Sequence, residues 1–208
     1  MESSWLAMAK RLQALAATGQ SFTRCQYDLE RYQEIEAIAL QMLADLGSMP
    51  LERIQGLFAD GDPGYVTPKV EVRGAVIRDG KILLVQEKED GHWAMPGGYA
   101  DVGISAAGNV EKEVLEEAGL LVKAKQLFAL RHKAKGNYPA DSRDFYKLHF
   151  LCECLDPFAE PKTGTETVNV AFFSPDALPP LSLGKNLPED IYAAMEFALN
   201  GQGIPWFD

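Results

Sequence analysis

The chain has 208 residues, 47% of them hydrophobic and 24% charged, and a formal net charge of −10. That composition is ordinary for a globular protein with room for one large domain or two small ones. The acidic balance argues against nucleic acid as a partner, since phosphate backbones need clustered Lys and Arg, and no apolar run approaches the roughly 20 residues that cross a bilayer.

The opening stretch, MESSWLAMAKRLQALAAT, lacks a basic region ahead of its apolar part, so no signal peptide is expected. Trp5, Leu6, Met8, Ala9, Leu12, Leu15 and Ala16 recur at helical spacing, and Gly19 and Ser21 are expected to break that helix. A second helix is predicted over residues 27–46, with Leu29, Tyr32, Ile35, Ile38, Ala39, Met42 and Leu43 on one stripe and Gly47 as its stop. A short third helix is predicted over residues 50–58. The turn-rich run ADGDPGYVTPK at residues 59–69 reads as a linker. We therefore expect a helical N-terminal domain over residues 1–62, used for packing or dimerisation, and a second domain over residues 66–208.

In the second domain, residues 70–77 alternate as a strand, Arg78-Asp79-Gly80-Lys81 supplies a hairpin turn, and residues 82–87 form the partner strand. Further strands are predicted at residues 121–131, 145–154 and 168–173, with a polar loop at 135–143. A short turn follows at Ser174-Pro175-Asp176, and a last helix spans residues 188–199. Strands and helices mix without regular alternation, so the class is α+β. Cys25, Cys152 and Cys154 make no disulfide framework or zinc site, and a reducing cytoplasm is the expected setting. His92, His132 and His149 are scattered and read as structural or surface residues.

The chemistry concentrates between Trp93 and Leu120. A Pro-Gly-Gly turn leads through a loop holding Asp101 and Gly103 into a helix that ends at Gly119. With about 3.6 residues per turn, Glu113, Glu116 and Glu117 share one face of that helix. Like charges at this spacing repel, so a positive charge is expected opposite, and clustered oxygen donors suit a hard divalent cation.

From Gly98 onward this stretch resembles the Nudix box, G-x5-E-x7-R-E-U-x-E-E-x-G-U with U aliphatic, and Glu113, Val114, Glu116, Glu117, Gly119 and Leu120 stand in register. Two positions depart: Ile104 replaces the first Glu, and Lys112 replaces the Arg. The segment Asp28, Glu30, Arg31, Tyr32 is similar to the helical extension of a bacterial Nudix branch that includes CDP-choline and ADP-ribose pyrophosphatase-like enzymes, whose members are dimers. The resemblance implies an α/β/α sandwich with a mixed sheet behind a small helical domain, and a homodimer. It implies Mg²⁺ or Mn²⁺ held by the Gly97 carbonyl, Glu113, Glu116 and Glu117. The implied activity is hydrolysis of the pyrophosphate bond in a nucleoside diphosphate linked to another moiety. The general base it implies is a box glutamate, Glu113 or Glu117, or the loop residue Glu166. Candidate substrate contacts are Trp93 for base stacking, Arg73 and Arg131 for phosphate, and Glu87 and Asp101 for further polar contacts. Two rival readings are a Nudix-fold module that senses a nucleotide without cleaving it, motivated by Ile104, and a hydrolase of nucleoside triphosphates or RNA ends.

Overall fold

A computed structural model describes residues 2–58, 64–201 and 203–208. The expected linker therefore lies partly outside the described residues. Two compact units are distinguished: residues 1–69 with 134–145, and residues 70–133 with 146–208.

The first unit is helical. Helix α1 (Ser4–Phe22) starts at Ser3, whose side chain accepts from the Leu6 N–H at 3.2 Å, and runs without a break through Gly19. Gly19 does not stop the helix because its missing side chain is what the packing uses. A Cβ there would come within 2.5 Å of the Tyr32 ring on α2 (Gln26–Gly47). Helix α3 (Leu51–Phe58) completes a small core of Leu6, Ala9, Leu40, Leu43, Ala44 and Ile54. The loop expected at 135–143 belongs to this unit: Lys10 Nζ pairs with Asp144 at 2.9 Å and with Glu2 at 2.8 Å.

The second unit is built on a mixed sheet. Strands β1 (Lys69–Arg78) and β2 (Lys81–Glu87) form the predicted hairpin, its turn made by Asp79 and Gly80 at φ 51° and 70°. Those positive values match the sheet's twist in a two-residue turn. With β3 (Trp93–Ala94), β4 (Val122–His132), β5 (Phe145–Cys154), β6 (Thr167–Phe173) and β7 (Trp206–Phe207), the strand order is β3-β2-β1-β5-β4-β7, and β6 pairs antiparallel with β2. Strand β7 runs parallel to β4, whereas β5 is antiparallel to it.

Each face of the sheet carries a helix. Helix α4 (Ala106–Ala118) lays Val110, Val114 and Ala118 on Val72, Val76, Leu83, Val85 and Cys152. Helix α5 (Pro188–Asn200) lays Ile191, Ala194 and Phe197 on Ala75, Ile82, Leu84 and Phe128 from the other side. Gly74 lets α4 approach closely, since a Cβ on it would sit 2.8 Å from Val114 Cγ2. The class is α+β, as expected.

Candidate active site

The turn ahead of α4 is fixed first by the main chain. Residues 96–100 lie along β1: Val72 N–H donates to the Gly98 carbonyl at 2.9 Å, Gly74 N–H to Pro96 at 2.8 Å, and Ala100 N–H to Val70 at 2.9 Å. Gly97 has φ 151°, and a Cβ on it would meet the Val72 carbonyl oxygen at 2.1 Å, so only glycine fits. A Cβ on Gly98 would stand 2.9 Å from Glu113 Oε1, which places that carboxylate over the bend. Helix α4 is capped at both ends. Ser105 Oγ accepts from Gly108 N–H at 3.0 Å, and Gly119 closes the last turn at φ 66°.

Glu117 is buried, and its Oε2 accepts from Gly97 N–H at 2.9 Å. Burial pushes its carboxyl up to about 7, with Arg73 and the Gly97 hydrogen bond opposing and Glu87 and Glu113 adding to the rise. Glu113 is likewise raised, first by burial and then by Glu116 and Glu166, against Lys112 and Arg73. Glu87 is buried; its Oε2 pairs with Lys185 Nζ at 2.7 Å and its Oε1 has no partner among the described residues. Arg73 is 2% exposed, and its Nη1 donates to the carbonyls of Gly97 at 2.6 Å and Met95 at 3.2 Å. It therefore braces the bend from beneath, with Glu71 at 3.9 Å. Glu71 in turn is bonded by buried Lys147, which also donates to the Lys185 carbonyl.

Glu166 reaches this neighbourhood through a latch the sequence analysis did not identify. Thr167 Oγ1 donates to the Glu117 carbonyl at 2.9 Å and accepts from Gly164 N–H at 2.9 Å, while Lys162 N–H donates to the Ala118 carbonyl at 2.8 Å. The only sequence signal was the glycine in Gly164-Thr165; a Cβ there would overlap the Glu116 carbonyl at 1.7 Å.

Asp101 and Glu116 share one ammonium, Lys112 Nζ, at 3.3 and 2.9 Å. Two further candidates have partners of their own. Trp93 packs edge-on to Phe173 at 4.7 Å, and its main chain bonds Pro180 and Ser182. Arg131 is buried, contacts Asp208 at 3.1 Å, Asp190 at 3.5 Å and Glu189 at 3.7 Å, and covers the Trp206 ring at 3.6 Å. Its donors serve the protein's own carboxylates.

Hard oxygen donors dominate the bend: the Gly97 carbonyl, Glu113, Glu117, and a Glu87 oxygen left orphaned. Burial, with neighbouring carboxylates adding to it, holds Glu113 and Glu117 above their ordinary values, and oxygen donors of this kind fit a hard divalent cation. Among the described residues no three acidic, His or Cys side chains yet converge as a finished ligand group.

A family model described as the NUDIX domain matches residues 68–195, more than half of the chain. The chain belongs to the NUDIX family. A second model, described as a UDP-X-like N-terminal oligomerisation domain, matches residues 3–58 of this Nudix protein. YjhB of Bacillus subtilis (strain 168), provisionally named as an ADP-ribose pyrophosphatase, is 39% identical over 95% of this chain and 93% of its own. A crystal structure of an ADP-ribose pyrophosphatase from Streptococcus suis 89-1591 is 44% identical, covers 68% of this Nudix protein and 100% of that chain, and superposes with a TM-score of 0.62. A crystal structure of UDP-X diphosphatase is 29% identical, covers 100% of both chains, and gives a TM-score of 0.63.

Proposed function

We propose that this Nudix protein is a pyrophosphohydrolase that cleaves a nucleoside diphosphate linked to another moiety, of the ADP-ribose, CDP-choline or UDP-X type, with Mg²⁺ or Mn²⁺. The observation that carries the reading is the raised, crowded pair Glu113 and Glu117 set against the Gly97-Gly98 bend. Glu113, Glu116, Glu117 and the Gly97 carbonyl would hold the cation. When bound, a divalent ion neutralises phosphate oxygens and lowers the pKa of water.

The chain's own residues supply the rest. The latch through Gly164 and Thr167 keeps Glu166 near Glu113, and among the described residues no hydrogen bond or ion pair engages its carboxylate. We assign Glu166 as the base that takes the proton as water adds to one phosphorus. The bridging P–O bond then breaks, releasing a nucleoside monophosphate and a phosphorylated second product. Arg73 acts by holding the Gly97 carbonyl, because at 2% exposure it has no open face for a phosphate.

The matched description of residues 3–58 supports an oligomer built through the helical domain over residues 1–62, with the hydrolase domain over residues 66–208, and we assign a homodimer. Among the described residues no helix is long and apolar enough to cross a membrane, and we assign a cytoplasmic location.

The test is a panel of ADP-ribose, CDP-choline and UDP-linked substrates with Mg²⁺ and with Mn²⁺. E166Q is expected to lower kcat about 10²–10⁴-fold, the usual worth of a general base, and E117Q to abolish turnover. Full activity of E117Q on every substrate would overturn the proposal. Release of pyrophosphate from a triphosphate with no cleavage of the linked diphosphates would move the enzyme to another substrate class.

A further inference from the structure

Where the Nudix pattern has Glu and Arg, this chain has Ile104 and Lys112. The acidic partner for that cation is gone: Ile104 is 43% exposed, with its Cγ2 beside Gly108. Lys112 has taken a different pair, Glu116 Oε2 at 2.9 Å and Asp101 Oδ2 at 3.3 Å. One of those partners belongs to the acidic face assigned above to the divalent cation. Glu116 is therefore already paired with a cation, and Glu117 accepts from the Gly97 N–H.

We propose that Lys112 is a resident counter-ion for the metal site: an arriving divalent cation takes Glu116 away from it, and the ammonium falls back on Asp101 alone. The inference rests on the reading that α4 gathers such a cation. The exchange is physically easy. The side chains of Lys112, Glu116 and Asp101 are 39%, 55% and 55% exposed, and ion pairs open to water hold weakly. Lysine is a point charge on a flexible stem, so it can swing without moving the backbone, whereas a bidentate Arg fork locks one geometry. The cost is competition. The cation must displace one positive charge and then bind near it, so this site takes up metal more weakly than the same site would without Lys112.

Manganese titration of the metal-stripped, full-length protein, followed by the electron paramagnetic resonance of free Mn²⁺ and by calorimetry, decides the matter. K112M is expected to bind Mn²⁺ about five- to tenfold more tightly, the effect of removing one charge several ångströms from a divalent ion in water. K112Q is expected to match it, and K112R to bind no more tightly than wild type. Lys123 pairs with Glu111 at 3.0 Å instead, and K123M is expected to leave binding unchanged. E116Q is expected to weaken binding, and adding K112M to E116Q should bring a clearly smaller gain, because the contested carboxylate is gone and only the repulsion between ammonium and cation remains. Unchanged or weaker binding by both K112M and K112Q overturns the role of Lys112 while leaving the hydrolase reading intact, as does a gain equally large in the E116Q background. A wild-type protein that binds no Mn²⁺ sinks both.

Discussion

His149 stands alone among the buried residues in having both ring nitrogens without a hydrogen-bond partner among the described residues, while its ring stacks on Phe128 with centroids 5.6 Å apart. Burial, with Lys147, Arg73 and Arg131 nearby, holds its pKa well below the ordinary 6.5. The fold therefore keeps it neutral, and the unfolded chain takes the proton first as pH falls. A depressed folded pKa contributes stability above the unfolded value and loses it below, here at up to about 1.4 kcal/mol per pH unit under pH 6.5. Glu117, raised to about 7, pulls the wild-type curve the other way, so the difference between variant and wild type is the informative quantity. H149F should stabilise the protein by about 1 kcal/mol near neutrality, by removing two unsatisfied nitrogens, and the margin should widen on acidification. Urea midpoints of H149F and wild type at about pH 7.5 and about pH 5.5 check this; a margin that stays constant or shrinks refutes it.

Lys147 faces the same interior with the opposite solution. Burial lowers it to about 8, Arg73 adds to the fall, and Glu71 opposes it through its charge and a hydrogen bond. Burial acting alone would raise Glu71, yet Arg73 and Lys147 outweigh it and the carboxyl lies below its ordinary value. Breaking the pair leaves a buried charge uncompensated, so E71Q should cost about 3 kcal/mol or more in denaturant unfolding. The strand alternation of residues 145–154 predicts which side chains share a face. It carries no sign that a lysine and a histidine share the buried one, because period two is blind to what lies across the sheet.

At the scale of elements, α4 is the best specified piece of the molecule. Its cap Ser105, its stop Gly119 and its apolar stripe Val110, Val114, Ala118 agree with one another before any tertiary contact is considered. S105A should lower stability by about 1 kcal/mol in thermal unfolding, the ordinary worth of a cap. The loop at residues 162–167 is specified from outside itself. G164A forces a Cβ into the Glu116 carbonyl, so the latch must withdraw from α4 and carry Glu166 with it. The expected signature is a fall in kcat comparable to that of E166Q, with substrate-independent Mn²⁺ binding retained; normal turnover would show that the latch is not needed. Strands β3 and β7 have two residues each, too few for any periodicity to register, and only their partners β2 and β4 define them.

At the scale of the whole molecule, each unit keeps its own core, and the first has apolar surface left over. Leu6, Ala9, Gln13 and Ala16 face inward on α1, while Trp5, Met8, Leu12 and Leu15, one position away around the same helix, are 64%, 53%, 38% and 47% exposed. An exposed stripe of that kind marks an interaction surface. For the homodimer proposed above, replacing Trp5 and Met8 together by Glu should shift the protein from dimer to monomer in sedimentation velocity; an unchanged distribution would place the contact elsewhere.

By itself the sequence determined the class, the helices and longer strands to within a few residues, and the acidic helix beside its glycine bend. All of these are local: periodicity, caps, turn residues and a motif contiguous along the chain. The tertiary structure decided that Gly19 makes room for Tyr32 instead of ending a helix, that Arg73 braces a carbonyl while Arg131 serves three internal carboxylates, and that Lys112 holds Glu116. Each of those depends on a partner distant along the chain or on the choice among several nearby charges, and hydrophobic period and residue type encode neither.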